Sequence, residues 1–198
     1  MPKRSASRRD ILQGLGAILG SAAVVQVAGA SNALEVAIGY EPVADTLAKD
    51  GRVFSRAQLA VLRDVCAQVI PATDTPGAAE VDVHGFIDNQ LYCCHGESEQ
   101  SGARAVLDAL ERESRARHGL GFADLDGERQ LRLLTELEQS GNGFDDEDRR
   151  GFKLLKNLVV FGYFTSEVGA TQELAYDPVP GSFQGSVPYA RIGRAWFR

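Results

Sequence analysis

Apolar residues recur at helical spacing along most of the chain, and no run alternates convincingly at period two. Leu59, Leu62, Cys66 and Val69, with Val65 and Ile70, form one stripe behind Ser55-Arg56-Ala57-Gln58, a capping-box pattern, and Pro71 stops this first helix. Thr73-Asp74-Thr75-Pro76-Gly77 is a turn by composition, after which Val83, Phe86, Ile87 and Leu91 mark a shorter second helix. A polar break is expected from Gly96 to Gly102. Val106, Leu107 and Leu110 then place a third helix from about Ala103 to His118, closed by Gly119. Its outer face, with Arg104, Asp108, Glu111, Arg112 and Arg115, is a solvated pattern. Leu131, Leu134 and Leu137 predict a fourth helix, roughly Gly127 to Gln139, ended by Gly141-Asn142-Gly143. The fifth starts in Asp145-Asp146-Glu147-Asp148, acids that suit the positive end of a helix dipole, and Phe152, Leu155, Leu158, Val159 and Phe161 carry it toward Ser166. From Leu158 to Phe164 this helix is apolar all round apart from Gly162, which predicts burial on every side, either centrally or against a partner. The pattern is that of an all-α protein, one helical domain of about five helices over residues 55–169.

The two ends differ from this domain. Residues 1–30 read as a targeting segment: Lys3, Arg4, Arg8 and Arg9 precede an apolar stretch from Ile11 to Ala28, and Ala28-Gly29-Ala30 suits a cleavage site. Adjacent Arg8 and Arg9 match the twin-arginine form, and Gly14, Gly16, Ala17, Gly20 and Ala22 keep the apolar core weakly hydrophobic, as that route favours. An uncleaved membrane anchor is the alternative, since about 18 apolar residues barely span a bilayer. Residues 31–54 lack sustained periodicity and contain Gly39, Pro42 and Gly51, so a linker with partial order is expected. The tail, residues 170–198, combines Pro178, Pro180 and Pro188 with Tyr176, Phe183, Tyr189, Trp196 and Phe197. Such a segment wraps over something, either its own domain or another subunit.

Charge narrows the function. The chain of 198 residues carries a net charge of −6. Without residues 1–30 it keeps 17 basic and 26 acidic residues, a charge of −9, which repels phosphate backbones and argues against nucleic-acid binding.

The twin-arginine route moves folded proteins, often ones that carry a cofactor, yet no dinucleotide fingerprint, haem-attachment motif, iron–sulfur cysteine series or P-loop is present. Either the domain folds fast, or it escorts a cofactor-bearing partner. Cys66 invites a disulfide with Cys93 or Cys94 in an oxidising compartment, with three reduced thiols as the alternative. Zinc held by Cys66, Cys93, Cys94 and His95 is disfavoured because adjacent cysteines rarely reach one tetrahedral ion. His84, His95 and His118 are dispersed with no nucleophile context, so no catalytic residue is assigned. Asp124-Leu125-Asp126-Gly127-Glu128 reads as helix-entry acids rather than a calcium loop.

Four blocks, in order behind the twin-arginine segment, carry a resemblance: Val69-Ile70-Pro71-Ala72-Thr73-Asp74-Thr75-Pro76-Gly77-Ala78, Phe86-Ile87-Asp88, Gly162-Tyr163-Phe164-Thr165-Ser166-Glu167 and Tyr176-Asp177-Pro178-Val179-Pro180-Gly181. Over about residues 55–185 the chain resembles the gluconate 2-dehydrogenase subunit 3 family. The resemblance implies a non-catalytic small subunit of a periplasmic dehydrogenase that oxidises sugars or sugar acids. FAD would sit in a large flavoprotein partner of the glucose-methanol-choline type, and haem c in a cytochrome subunit where one joins. The small subunit would hold no cofactor itself, engage the twin-arginine translocon, stabilise the flavoprotein and meet the membrane through the complex. Pro71, Asp74, Pro76 and Gly77 would shape a loop, with Asp74 capping nearby amides. Tyr163, Phe164, Tyr176, Pro178 and Phe183 are the candidates for a partner-facing surface, or for an internal latch between the fifth helix and the tail. A free-standing periplasmic helical binding or scaffold protein with a different partner is the competing reading.

Overall fold

The computed structural model describes residues 30–175 together with Pro188, Ala190, Gly193 and Ala195. Six α-helices form among them: α1 (Ala30–Gly39), α2 (Arg56–Val69), α3 (Val83–Cys94), α4 (Glu97–His118), α5 (Gly127–Glu138) and α6 (Asp146–Thr165). Single 3₁₀ turns occupy Thr46–Ala48 and Phe122–Asp124, and a π-helical turn occupies Gly169–Glu173. The described residues contain no strand, so the class is all-α. Arg8, Arg9, Tyr176, Pro178 and Phe183 lie outside the described residues.

Local chemistry sets the helix ends. Ser55 Oγ accepts the Gln58 amide at 3.3 Å while Gln58 Oε1 accepts the Ser55 amide at 3.0 Å, the reciprocal box read from the sequence. Asp126 caps α5 through the Arg129 amide at 2.9 Å. Asp145 caps α6 through the amides of Asp148 and Glu147, and those two bonds hold its carboxyl below the usual range. Gly119, at φ 69, closes α4.

Three expectations are corrected. First, α4 starts at Glu97, so the expected polar break is its opening turns. The Gly96 amide donates to Glu99, and the Gln100 side chain donates to the Leu91 and His95 carbonyls, which caps the end of α3 as well. A solvated turn needs no apolar residue once its ends are capped. Second, α6 is not buried on every side. It touches each of the other five helices and buries Phe152, Leu155, Leu158, Val159 and Tyr163, but Val160 is 43% exposed and Phe161 and Phe164 are half-buried. Burial of each such apolar side chain stabilises by roughly 1.5–3 kcal/mol, which makes α6 the spine of the domain. On α5, likewise, the buried stripe is Leu133, Leu134 and Leu137, and Leu131 faces solvent.

Third, residues 31–54 do more than link. They contribute α1, which packs on α3 and α6, and they bury Ala37, Tyr40, Val53 and Phe54. The physical reason is a pair of carboxylates on the α3 segment.

Candidate functional site

Asp82 and Asp88 are both 6% exposed, and each is saturated with donors from the N-terminal segment. Asp82 Oδ2 accepts from the Tyr40 hydroxyl at 2.5 Å and the Val43 amide at 2.8 Å, and Oδ1 accepts from the Thr46 hydroxyl at 2.7 Å. Asp88 Oδ2 accepts the Arg52 amide at 2.7 Å, and Oδ1 accepts the amides of Val53 and Phe54 at 2.9 Å each. A Cβ at Gly51 would lie 2.5 Å from Asp88 Oδ1, so only glycine lets this turn close over the carboxylate. Hydrogen bonds from six donors, three of them consecutive backbone amides, make burial of both charges tolerable. Asp82 does not figure in the sequence reading, and Asp88 enters it only as the end of the Phe86-Ile87-Asp88 block, with no role assigned. The available signal was a carboxylate at position 88, between Ile87 and Leu91 on an apolar helix, a place that demands partners.

His84 adds the third polar group. Its Nε2 lies 3.5 Å from Asp82 Oδ1, and its buried Nδ1 has no hydrogen-bond partner. Burial is the largest influence on the imidazole and lowers its pKa; the nearby Asp82 and Asp64 charges oppose this and Arg63 reinforces it. A histidine beside an aspartate is half of a base–nucleophile arrangement, but neither Thr46 nor Cys66 supplies the other half among the described residues. The Thr46 hydroxyl is spent on Asp82. Cys66, fully buried in α2, is held protonated, first by burial and then by the Asp82 and Asp64 charges, the reverse of an activated thiol. His84 is itself only 6% exposed, which closes it to a substrate. The cluster is built to fasten chain to chain.

The other sequence candidates disperse. The three cysteines are free: Cys66 is sealed in the core, Cys94 is half-buried, and Cys93 is on the surface, where the Arg52 guanidinium reaches it at 3.7 Å. The disulfide considered for Cys66 is absent from this structure, in which all three thiols are free. No group of three or more His, Cys, Asp or Glu side chains able to hold a metal occurs among the described residues. His95 pairs with Glu99 at 3.2 Å, and His118 is exposed.

The block from Ile70 to Ala78 forms a closed loop. The Ala78 amide returns to the Ile70 carbonyl at 3.0 Å, and a Cβ at Gly77 would lie 2.6 Å from the Ala72 nitrogen, so a side chain there has no room. Asp74, expected to cap amides, accepts from the Thr73 hydroxyl; Glu80 takes the Gly77 amide, at 2.6 Å. Tyr163 locks the loop to α6 by donating to the Pro76 carbonyl at 3.0 Å, and Thr75 donates to Glu173 of the π-turn at 2.9 Å. Tyr163 is 1% exposed and latches α6 to this loop; the tail residues Tyr176, Pro178 and Phe183, which a latch between the helix and the tail would need, lie outside the described residues. Phe164, its edge-to-face neighbour at 5.3 Å, is half-buried and joins Phe161 and Val160 in one apolar stripe along the end of α6. Val160 is legible in the sequence only as a member of the all-round apolar run, and Phe161 also as one of the apolar positions that continue the helix.

A family model described as gluconate 2-dehydrogenase subunit 3 matches residues 56–181, from the first residue of α2 to past the π-turn. No curated protein and no solved structure matches the chain.

Proposed function

The chain belongs to the gluconate 2-dehydrogenase subunit 3 family, and from that premise we propose that it is the non-catalytic small subunit of a periplasmic FAD-dependent sugar or sugar-acid dehydrogenase. It carries the flavoprotein subunit through the twin-arginine translocon and stabilises it, and a cytochrome c subunit takes the electrons where one is present. The observation that carries this reading is the extent of the match: it spans the helical domain, including the loop from Ile70 to Ala78 and the end of α6.

The partner-facing surface assigned to this role is the stripe of Val160, Phe161 and Phe164. Aromatic and aliphatic anchors of this kind dominate interface energies when a partner desolvates them. The buried Asp82–His84 cluster takes no catalytic part.

The test is affinity purification of the chain from its native periplasm. A yellow complex containing a large flavoprotein is expected, together with loss of that flavoprotein's export when Arg8 and Arg9 are both changed to lysine. A colourless lone chain, with flavoprotein export intact, would instead establish a free-standing scaffold.

A further inference from the structure

The N-terminal segment has a fixed root and a releasable part. The root is residues 51–54, where the Gly51 amide donates to the Phe54 carbonyl at 2.8 Å and the next three amides converge on Asp88. Residues 30–50 are held differently. Their polar anchorage to the α3 segment includes Asp82, with its three donors, and a bond from the Gln90 side chain to the Ala33 carbonyl at 3.0 Å.

This stretch cannot order itself. α1 has ten residues, too few for a stable isolated helix, and residues 40–50 are irregular apart from one 3₁₀ turn. The acceptor that organises them exists only when α3 is formed. Asp82 is the N-cap of α3 at φ 58, a left-handed conformation that a non-glycine residue keeps only where its surroundings fix it. The Tyr40 ring completes the dock by packing edge-to-face on Phe86 of α3 at 5.6 Å.

We propose that residues 30–50 are a latched arm that docks through Asp82 only on a folded α3, so that the segment joining the leader to the domain reports that the domain is folded. Docked, the arm packs α1 against α3 and α6. Released, it adds 21 residues of free chain, a reach of roughly 70 Å when extended. A route that accepts only folded passengers has use for such a difference. This last use rests on the twin-arginine reading above; the arm itself does not.

The experiment is hydrogen–deuterium exchange with mass spectrometry on the full-length chain, comparing wild type with Asp82→Asn and with Thr46→Val, followed by pulse-chase export of the same variants. Asp82→Asn is expected to speed exchange over residues 30–50 by about tenfold or more, the scale of losing bonds to a charged acceptor, while peptides from α2 to α6 keep their wild-type rates. Thr46→Val, which leaves α3 untouched, is expected to give a smaller rise confined to the same residues. It carries the test if Asp82→Asn does not fold. Equal acceleration in the arm and in the helices, or none in the arm with either variant, overturns the latch. The fold-reporting role requires that export fall in step with arm release; a released arm with normal export refutes that role. If changing both Arg8 and Arg9 to lysine leaves export intact, the leader reading fails while the exchange result still decides the arm.

Discussion

Two irregular stretches, residues 40–54 and residues 70–82, are ordered by opposite means. The first makes few backbone bonds of its own and is held by hydrogen bonds from six donors into two buried carboxylates 34 to 42 positions away in sequence. The second is held chiefly by its own backbone, through the bonds of Thr73, Ala78, Glu80 and Val81, and is seated by the Tyr163 phenol of α6 and by the bond from Thr75 to Glu173. A loop of the second kind announces itself, because prolines, glycine and threonines are the residues that such turns require. A strap of the first kind looks like a linker, because what orders it lies elsewhere in the chain. The contrast also assigns different failures: the strap fails with a side chain on α3, the loop with its own backbone.

The largest expected effect is at the strap's root. Asp88→Ala removes the acceptor of three consecutive amides beside the fully buried Phe54 and should cost about 3–4 kcal/mol of stability. Urea unfolding checks it. A loss below about 1 kcal/mol would mean that water replaces the carboxylate and that the root is not a rigid anchor. The corresponding break in the loop is Gly77→Ala, whose Cβ meets backbone atoms of Ile70 and Ala72 that cannot rotate away. It should cost about 2 kcal/mol, and the loss should be greater than that of Thr75→Val, which removes one exposed hydroxyl bond. The same unfolding series ranks the pair.

Those two sites also show what a sequence discloses. Four features were legible because their causes are local: the Ser55 box, the Asp126 and Asp145 caps, the Gly119 stop and the buried stripes of α2 and α6. Two were not. α1 and the strap depend on Asp82 and Asp88, and a periodicity argument ranks an acid on a helix as solvent-facing unless something marks it as buried. The opening of α4 was hidden for the converse reason, since a polar, fully solvated turn carries no apolar signal at all. At the end of α6, the sequence does not separate Tyr163 from Phe164: adjacent aromatics on a helix point to different sides, and which side is solvent is decided by the loop above.

Tyr163→Phe is the gentler probe of the loop. It keeps the ring in the core and deletes only the bond to the Pro76 carbonyl, an expected cost of about 1 kcal/mol. Thermal unfolding by circular dichroism reads it. The sharper readout is copurification with the flavoprotein. If the loop rather than Phe164 meets the partner, Tyr163→Phe will weaken the complex more than Phe164→Ala does, and the assignment of the α6 stripe fails.

The smallest expected effect separates the two stretches by pH. Burial lowers the pKa of His84, so the native state stays neutral at pH values where the unfolded chain, with an ordinary imidazole near 6.5, takes up a proton. The unfolded state therefore binds more protons, and stability falls as pH drops through 6.5 toward the lower native value. One histidine limits the loss to at most about 0.7 kcal/mol between pH 7 and pH 6, even if it never protonates in the folded protein. His84→Gln should remove this slope while leaving the rest of the pH profile in place, as measured by urea midpoints at the two pH values. Because His84 sits beside Asp82, the slope should be accompanied by faster exchange in residues 30–50 and not in residues 70–82. Equal acid sensitivity in both stretches would show that His84 reports on the whole core rather than on the strap.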